Sequence, residues 1–303
     1  MGPTASGKTD VAIELCERFP LDVISVDSAL VYRGMDIGTA KPDADTLRRT
    51  PHCLIDIRDP EENYSAGDFV RDADAAMDAI FQAGRVPLLV GGTMMYFRAL
   101  TQGIAELPSA DRDIRATIDA EAQQLGWPAM HERLQEIDPQ AAKRINANDR
   151  QRIQRALEVY QLSGKTLSAW QQAGAKTVGS DIRFVKLALQ PTTRKVLHER
   201  IEKRLNQMLN NNFLNEVKVL HKRAGLTAEH SSMRSVGYRQ LWQHLDGECA
   251  LTVAATKALA ATRQLAKRQI TWLRSEQELR SFDPLEARTI DAISTSLIEF
   301  FDA

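Results

Sequence analysis

The 303-residue chain is predicted to adopt an α/β fold, in which helices flank a parallel β-sheet and a helical insertion interrupts the sheet. Three observations support this prediction. A glycine-rich loop at the start of the chain leads directly into a helix pattern. Short apolar, β-branched segments then alternate with helix patterns as far as residue 103, as in layered α/β domains. Strand patterns are missing from residue 107 until residues 183–189.

The opening loop, residues 2–9, reads G-P-T-A-S-G-K-T and matches the G-x-x-x-x-G-K-T pattern of phosphate-binding loops. Its glycines let backbone N–H groups turn toward one centre, and the N-terminus of the helix predicted for residues 8–18 points at the same anion. Lys8 adds a positive charge, and Thr9 offers a hydroxyl to a magnesium ion or a phosphate oxygen. The pattern predicts a di- or triphosphate site formed by Gly2, Thr4, Ala5, Ser6, Gly7, Lys8 and Thr9, with Thr9 as the candidate metal ligand.

Four strands are predicted for the core, at residues 22–27, 53–57, 86–90 and 183–189. Helices are predicted at residues 65–82, with Gly84 ending the helix, and at residues 94–101. A phosphate loop normally follows a buried strand, whereas this chain begins at the loop. Either the first strand is missing from the numbered chain or the sheet is built without it, and we favour a missing N-terminal piece. The alternation predicts a phosphate-loop kinase-like core.

Polar residues follow two of these strands at their carboxyl ends, where open α/β sheets bind ligands. Asp27 and Ser28 follow the first strand beside the phosphate loop, and Thr93 follows the glycine pair after the third strand. Asp27 has two interpretations: it caps the next turn or orders magnesium, or it serves as a general base or hydrogen-bond acceptor. We favour the second. Residues 30–42, with two glycines and a proline, are predicted to form an irregular substrate-binding loop.

The second half of the chain is predicted to be mostly helical. One helix of the insertion begins with Asn148 as its N-cap and ends at Gly164, with Gln151 and Arg155 on one face. Long helices return over residues 192–280. In the helix at residues 252–275, basic side chains run beside the apolar stripe, and they form either the solvated edge of a buried helix or a ridge that contacts phosphates; these are Arg263, Lys267 and Arg274.

Composition sets broad limits on function. The formal net charge is −1 and 43% of the residues are hydrophobic, so global charge neither favours nor excludes a nucleic acid. The three cysteines lack metal-site spacing and indicate a reducing, cytoplasmic setting. No apolar run approaches a membrane span, and no signal peptide is visible.

A phosphate loop beside a carboxylate is typical of a small-molecule or nucleotide kinase. Two features argue against that class. The sequence has no clear marker of a nucleobase pocket or of an arginine-bearing lid, and it has a large helical excursion with basic and polar ridges. A small metabolite would not require such a surface, whereas RNA would use it.

Six motifs in this order resemble those of the bacterial tRNA dimethylallyltransferases, also called tRNA isopentenyltransferases. The phosphate loop alone is generic, but the six together are specific and span nearly the whole chain. They are GPTASGKT at residues 2–9, DSALVYRGMDIGTAKP at 27–42, GGTMMYF at 91–97, QRIQRALEVY at 151–160, RSVGYRQ at 234–240 and KRQITWLR at 267–274.

The resemblance implies transfer of the dimethylallyl group of dimethylallyl diphosphate to N6 of adenine 37 beside the tRNA anticodon, with Mg²⁺ as cofactor. It implies a core of residues 1–106 and 183–303 and an insertion of residues 107–182 that binds the anticodon stem-loop, in a cytoplasmic monomer with no membrane partner. By position, Asp27 resembles the family's base and Thr93 its threonine near the leaving oxygen. The implied tRNA contacts are Asp27, Ser28, Ala29, Leu30, Arg115, Gln151, Arg152, Ile153, Gln154, Arg155, Arg234, Ser235, Val236, Gly237, Tyr238, Arg239, Lys267, Arg268, Gln269 and Arg274.

Two positions depart from the family. Leu30 stands where the family usually has Gln, which removes a hydrogen bond to tRNA, and Ser235 stands where it usually has Cys. Three rival functions remain: a phosphate-loop kinase, an isopentenyltransferase acting on free adenosine phosphates, and a non-enzymatic RNA-binding module. The second leaves the insertion without a ligand, and the third leaves Asp27 and the phosphate loop unexplained.

Overall fold

The computed structural model describes residues 1–173 and 182–302, which divide into two compact units. The first unit comprises Met1–Arg98 and Asp181–Ala303, and the second comprises Ala99–Ser180. The second unit therefore begins earlier in the chain than the predicted insertion of residues 107–182.

A parallel three-stranded sheet lies at the centre of the first part of the chain. The strand order is β2-β1-β3, and helices pack against β1 and β3. Strand β1 is buried along nearly its whole length, as its unbroken apolar pattern predicts. The elements up to residue 102 are α1 Lys8–Arg18, β1 Leu21–Val26, α2 Ala44–Arg49, β2 His52–Cys53, α3 Ala66–Gln82, β3 Val86–Gly91 and α4 Met94–Gln102.

The ends of β1 and β3 lie side by side. The register pairs Val26 with Gly91, so the chain leaves both strands at the same edge of the sheet. Gly91 is required at this point because a Cβ atom there would lie 2.0 Å from the Val26 carbonyl oxygen. Consequently Asp27 and Gly92, the next residue of each strand, start from neighbouring positions.

The second predicted strand, residues 53–57, is wrong in length. It stops after Cys53, because Leu54 and Asp56 adopt left-handed backbone angles, with φ of 65° and 56°. Asp56 instead accepts a hydrogen bond from the Lys41 ammonium at 2.5 Å, which fastens the loop after β1 to the loop after β2. The apolar residues of this segment therefore lie in a turn and not in a paired β-strand.

The named elements of the second unit within its described residues are all helices. Its core contains Ile118, Leu134, Ile153 and Leu157, all buried. Asp149, not Asn148, caps helix α8, because its Oδ1 accepts a hydrogen bond from the Arg152 N–H at 3.2 Å. The helices are α5 Arg112–Leu125, α6 Trp127–Ile137, α7 Pro139–Arg144, α8 Arg150–Ser163 and α9 Leu167–Gln172.

The last part of the chain returns to the first unit and adds a second, two-stranded parallel sheet. The strand predicted at residues 183–189 is shorter, and it pairs with β5, which the sequence analysis missed. The Leu189 N–H donates to the Met1 carbonyl at 2.9 Å, so the phosphate loop starts beside the carboxyl end of this strand. The elements are β4 Lys186–Leu189, α10 Arg194–Asn210, α11 Phe213–His221, α12 Tyr238–Leu245, α13 Leu251–Leu273, β5 Leu279–Phe282 and α14 Thr289–Phe301.

Both sheets of the first unit share one apolar core. Leu15 of α1, Leu21 of β1, Leu189 of β4 and Leu297 of α14 are buried in one cluster. This packing fixes α1, and with it the phosphate loop, against strands from both sheets. Among the helices within residues 1–173 and 182–302, none combines the length and apolarity that crossing a membrane requires.

Candidate active site

The phosphate loop has the left-handed turns that its sequence predicts. Gly7 has a φ of 91° and forms the N-cap of α1 without a side chain, so the first N–H groups of the helix remain available to an anion. Ala5 is also left-handed, with a φ of 62°. The Lys8 ammonium donates to the Pro3 carbonyl at 2.7 Å, which folds the side chain back over the loop.

Two arginines from helix α10 complete the cationic side of the site. Arg200 Nε donates to the Ala5 carbonyl of the phosphate loop at 2.8 Å, and Arg204 donates to the Thr39 carbonyl at 3.1 Å. Neither arginine was predicted as a site residue. They stand four residues apart on one face of a helix, and the backbone groups that they contact are 195 and 165 residues earlier in the chain.

Positive charge in this site is only partly compensated. Burial lowers the pKa of the Lys8 ammonium to about 8, and the Asp27 carboxylate opposes this shift while Arg204 adds to it. Burial likewise lowers the pKa of the Arg204 guanidinium below its ordinary value, again opposed by Asp27. A bound polyanion would favour the charged forms of both Lys8 and Arg204.

Asp27 both caps a turn and remains open on one side. Its Oδ1 accepts the N–H groups of Ala29 at 2.8 Å and Leu30 at 3.2 Å. Its Oδ2 accepts no hydrogen bond from the described part of the chain. The two interpretations of Asp27 are therefore compatible, because one oxygen fixes the carboxylate and the other can accept a proton from a substrate.

Thr93 lies next to Asp27 and is tied to it through Ser28. The Ser28 N–H donates to Thr93 Oγ1 at 3.1 Å, and the Thr93 N–H donates to the Val26 carbonyl at the end of β1. Asp27, Thr93 and Lys8 line the same cavity. The predicted catalytic pair is thus brought together with the predicted phosphate loop.

Gln269 of helix α13 joins the phosphate loop to the loop that carries Thr93. Its Oε1 accepts the Thr4 N–H at 2.8 Å, and its Nε2 donates to the Gly92 carbonyl at 2.8 Å. The side chain is buried, and Gly92 leaves room for it, since a Cβ there would lie 2.4 Å from Nε2. The Gln269 side chain therefore links the two loops and also lines the cavity, and its contact with tRNA stays a prediction.

The cavity has a volume of about 490 Å³ and is lined by both polar and apolar residues. The polar lining includes phosphate-loop residues, Asp27, Thr93 and Arg204. The apolar lining comes mainly from helices α10, α11 and α13. The apolar lining includes Ile201, Leu205, Met208, Phe213, Leu265 and Trp272. Such a cavity fits an anionic group joined to a small hydrocarbon.

Most predicted tRNA contacts of the first unit lie at this cavity or at the surface. Tyr238 also lines the cavity, although its side chain is buried and its hydroxyl donates to Glu216. Arg239, Lys267 and Arg274 are exposed. The predicted tRNA contacts that line the cavity are Asp27, Ser28, Ala29, Leu30, Arg234, Ser235, Val236, Gly237, Tyr238, Arg268 and Gln269.

In the second unit, predicted tRNA contacts divide into exposed and engaged side chains. Gln151 and Arg152 are exposed, and Gln154 donates to Asp119 at 2.7 Å. Ile153 is fully buried, which corrects its predicted contact role to core packing. The remaining two, Arg115 and Arg155, are both engaged by a buried carboxylate.

That carboxylate is Glu158, whose side chain has no exposed surface. Arg115 binds both of its oxygens, at 2.9 and 3.1 Å; Arg155 donates at 2.7 Å and the Asp111 N–H at 2.8 Å. Burial by itself would raise the pKa of Glu158, but the hydrogen bonds from these donors lower it below its ordinary value. Arg115 therefore holds α5 to α8, whereas Arg155 lies on α8 itself and joins Glu158 to the Pro108 carbonyl.

Replacing Glu158 by alanine is expected to destabilise the second unit by about 3 kcal/mol, because two guanidinium groups and a backbone N–H lose a common acceptor. Urea denaturation monitored by tryptophan fluorescence measures the loss. The matched control is Glu132→Ala in α6, for which no change is expected. Equal stability of the Glu158 and Glu132 variants would contradict the structural role of Glu158.

The known proteins that this chain resembles in sequence and in structure all carry the names of related transferases. Residues 30–276 match the family model described as IPP transferase. A curated relative, tRNA dimethylallyltransferase 2 of Hahella chejuensis, is 52% identical over 304 residues, covering 96% of this chain and 92% of the relative. The solved tRNA isopentenylpyrophosphate transferase of Bacillus halodurans is 35% identical with a TM-score of 0.70, covering 98% of this chain and 94% of that one. A eukaryotic dimethylallyltransferase acting on tRNA is 25% identical with a TM-score of 0.78, covering 98% of this chain and 76% of that one.

Proposed function

The chain belongs to the IPP transferase family, and we propose that it transfers the dimethylallyl group of dimethylallyl diphosphate to N6 of adenine 37 in tRNA and releases diphosphate. The observation that carries this proposal is the mixed lining of one cavity, in which phosphate-loop residues, apolar side chains and the open carboxylate oxygen of Asp27 occur together. A kinase would need a nucleobase pocket next to the loop, whereas the lining here suits a five-carbon chain.

The polar groups that line the cavity would stabilise the departing diphosphate. The bond between the allylic carbon and the diphosphate oxygen breaks, and its electron pair leaves with the diphosphate. Lys8, Arg204 and the loop N–H groups stabilise the negative charge that grows there, and the Thr93 hydroxyl lies within the same cavity. These groups are held by the protein before the reaction, so little reorganisation is needed.

Asp27 would act on the attacking base. The adenine amine is a weak nucleophile because its lone pair feeds the ring. Accepting one N6 proton at Oδ2 would raise the electron density on the nitrogen as the new N–C bond forms, and the proton passes to the carboxylate. Oδ1 stays fixed by the Ala29 and Leu30 N–H groups during this step.

The cavity offers oxygen ligands that suit a magnesium ion. Mg²⁺ prefers oxygen ligands and keeps several waters, and the Thr9 hydroxyl lines the cavity beside the loop. Ser25 also lines it, and its buried Oγ has no hydrogen-bond partner within residues 1–173 and 182–302, so it can accept a hydrogen bond from a metal-bound water. Thr9 and the diphosphate oxygens would hold the ion, which supplies further charge neutralisation at the leaving group.

The adenine must leave its stack to reach Asp27, which costs a few kcal/mol and least where the base is unpaired, as in an anticodon loop. Exposed basic residues would offset this cost by binding tRNA phosphates. Those of the first unit are Arg239, Lys267 and Arg274, and Gln151 and Arg152 of the second unit offer a further polar surface. We also propose that the core has the phosphate-loop kinase type of fold and that the protein is a cytoplasmic monomer.

The test uses purified protein, unmodified tRNA, Mg²⁺ and dimethylallyl diphosphate. Nucleoside mass spectrometry should find N6-dimethylallyladenosine, and mass analysis of RNase fragments should place it at position 37. The rivals are distinguished in parallel: ATP in place of dimethylallyl diphosphate tests the kinase, and AMP in place of tRNA tests the free-nucleotide enzyme. Stronger thermal stabilisation by ATP than by dimethylallyl diphosphate, or prenylation of AMP but not of tRNA, would contradict the proposal.

Diphosphate affinity is expected to fall as the pH rises above about 8, because the pKa of Lys8 in the free protein is about 8 and the bound anion favours its protonated form. Binding above that pH must therefore take up a proton. Isothermal titration calorimetry between about pH 7 and pH 9.5 measures the trend. In Lys8→Arg the guanidinium stays charged, so its affinity should be flatter over the same range. Identical pH profiles for the two proteins would contradict the assignment to Lys8.

A further inference from the structure

Glu216 of helix α11 accepts four hydrogen bonds from segments that are distant in sequence. Its Oε2 accepts the N–H groups of Asp36 at 3.0 Å and Ile37 at 2.7 Å. Its Oε1 accepts the N–H of Gly38 at 3.1 Å and the hydroxyl of Tyr238 at 2.5 Å. Three consecutive backbone donors thus converge on one carboxylate.

The same place is closely packed. A Cβ on Gly38 would lie 2.1 Å from the Phe213 ring and 2.6 Å from the Tyr238 ring, and the two rings meet edge to face at 5.0 Å between centroids. Burial raises the pKa of the Tyr238 phenol, and the negative charge of Glu216 is the second cause of this shift. The hydroxyl therefore stays protonated and donates its hydrogen bond. Gly38, Phe213 and Tyr238 all line the cavity.

The residue after this anchored segment contacts a cation of the site. The Thr39 carbonyl accepts the Arg204 guanidinium at 3.1 Å, and both residues line the cavity with Lys8 and Asp27. The position of that carbonyl depends on where residues 36–38 are held. Glu216 itself does not line the cavity.

We propose that Glu216 is a positioning residue of the transfer site: it fixes residues 36–38 and, through the Thr39 carbonyl, orients the Arg204 guanidinium toward the diphosphate. The inference rests on the proposed function, because it takes diphosphate as the anion bound. A carboxylate suits this task since both of its oxygens only accept, which matches three N–H donors and a hydroxyl.

The test is Glu216→Gln, which keeps the shape of the side chain. In either orientation of the amide, its NH2 group faces at least one backbone N–H, so hydrogen bonds are replaced by a donor–donor contact. We expect inorganic diphosphate to bind about tenfold more weakly in calorimetry, equivalent to about 1.4 kcal/mol. The KM for dimethylallyl diphosphate should rise similarly, while kcat at saturation changes less than about threefold.

Hydrogen exchange provides a readout independent of activity. In Glu216→Gln the amides of residues 36–40 should exchange faster, and those of α1 and β1 should not. The matched control is Glu202→Gln on α10, where an exposed carboxylate pairs with Arg263 and no change in affinity or exchange is expected. Glu216→Asp keeps the charge on a shorter side chain and serves if Glu216→Gln does not fold.

The outcomes separate the two proposals. Wild-type diphosphate affinity and wild-type exchange in a folded Glu216 variant would overturn the role of Glu216 and leave the proposed function intact. A wild-type protein that binds no diphosphate would overturn the proposed function, while faster exchange of residues 36–40 in the variant would still support the anchoring. A fall in kcat with unchanged KM would also count against positioning of the diphosphate.

Discussion

Replacing Asp27 by asparagine is expected to reduce dimethylallyl transfer by about 10²–10⁴-fold, because the amide cannot take the N6 proton as the new bond forms. Asparagine still offers one oxygen to the N–H groups of Ala29 and Leu30, so the turn after β1 should persist. Single-turnover transfer to saturating tRNA, followed by nucleoside mass spectrometry, measures the effect.

The controls for Asp27→Asn separate chemistry from binding. Affinity for tRNA should stay within about threefold, since one side chain among many contacts changes. Asp22→Asn serves as the matched control, because it alters a carboxylate at the opposite end of the same strand, where it pairs with Arg85. Turnover close to that of the wild type in Asp27→Asn would remove the assigned role.

Replacing Gln269 by glutamate is expected to reduce transfer by about 10²-fold, because the phosphate loop and the Thr93 loop lose their common link and shift relative to each other. The new carboxylate can still accept the Thr4 N–H, but it cannot donate to the Gly92 carbonyl and repels it. It also brings a negative charge next to an anion site. Transfer rate and diphosphate affinity should both fall.

Glutamine at position 264 provides the matched control, since it is exposed on the same helix. Gln264→Glu changes the charge of α13 equally without touching the loops, so its transfer rate should stay close to that of the wild type. If the two variants lose the same activity, the effect of Gln269→Glu arises from net charge on the helix and not from the broken link.

Local patterns predicted the parts of the site that are contiguous in sequence. The phosphate loop and helix α1 follow from Gly2–Thr9, and helix α3 has the predicted bounds because Ser65 and Asp68 form a capping box. Asp27 and Thr93 were placed correctly beside the loop, because the carboxyl ends of parallel strands share one edge of a sheet.

Long-range partners could not be predicted in the same way. Arg204, Glu216 and Gln269 reach the site from helices whose own patterns indicate only amphipathic surfaces, and their partners are backbone groups that carry no sequence signal. The prediction of a strand at residues 53–57 failed for a related reason. Although the segment is apolar, Asp56 forms an ion pair with Lys41, and the backbone turns instead of continuing the strand. Tertiary contacts decided both cases.

The polar and apolar lining of the cavity comes largely from different elements, with a consequence for substrate range. Asp27 and Thr93 follow the ends of β1 and β3, whose spacing the sheet register fixes. The hydrocarbon side is furnished by helix side chains such as Leu205, Met208 and Leu265. Chain length of the accepted allylic donor can therefore be altered by exchanging those side chains while the reactive geometry stays in place, so donor selectivity and chemistry are separately adjustable properties of this enzyme.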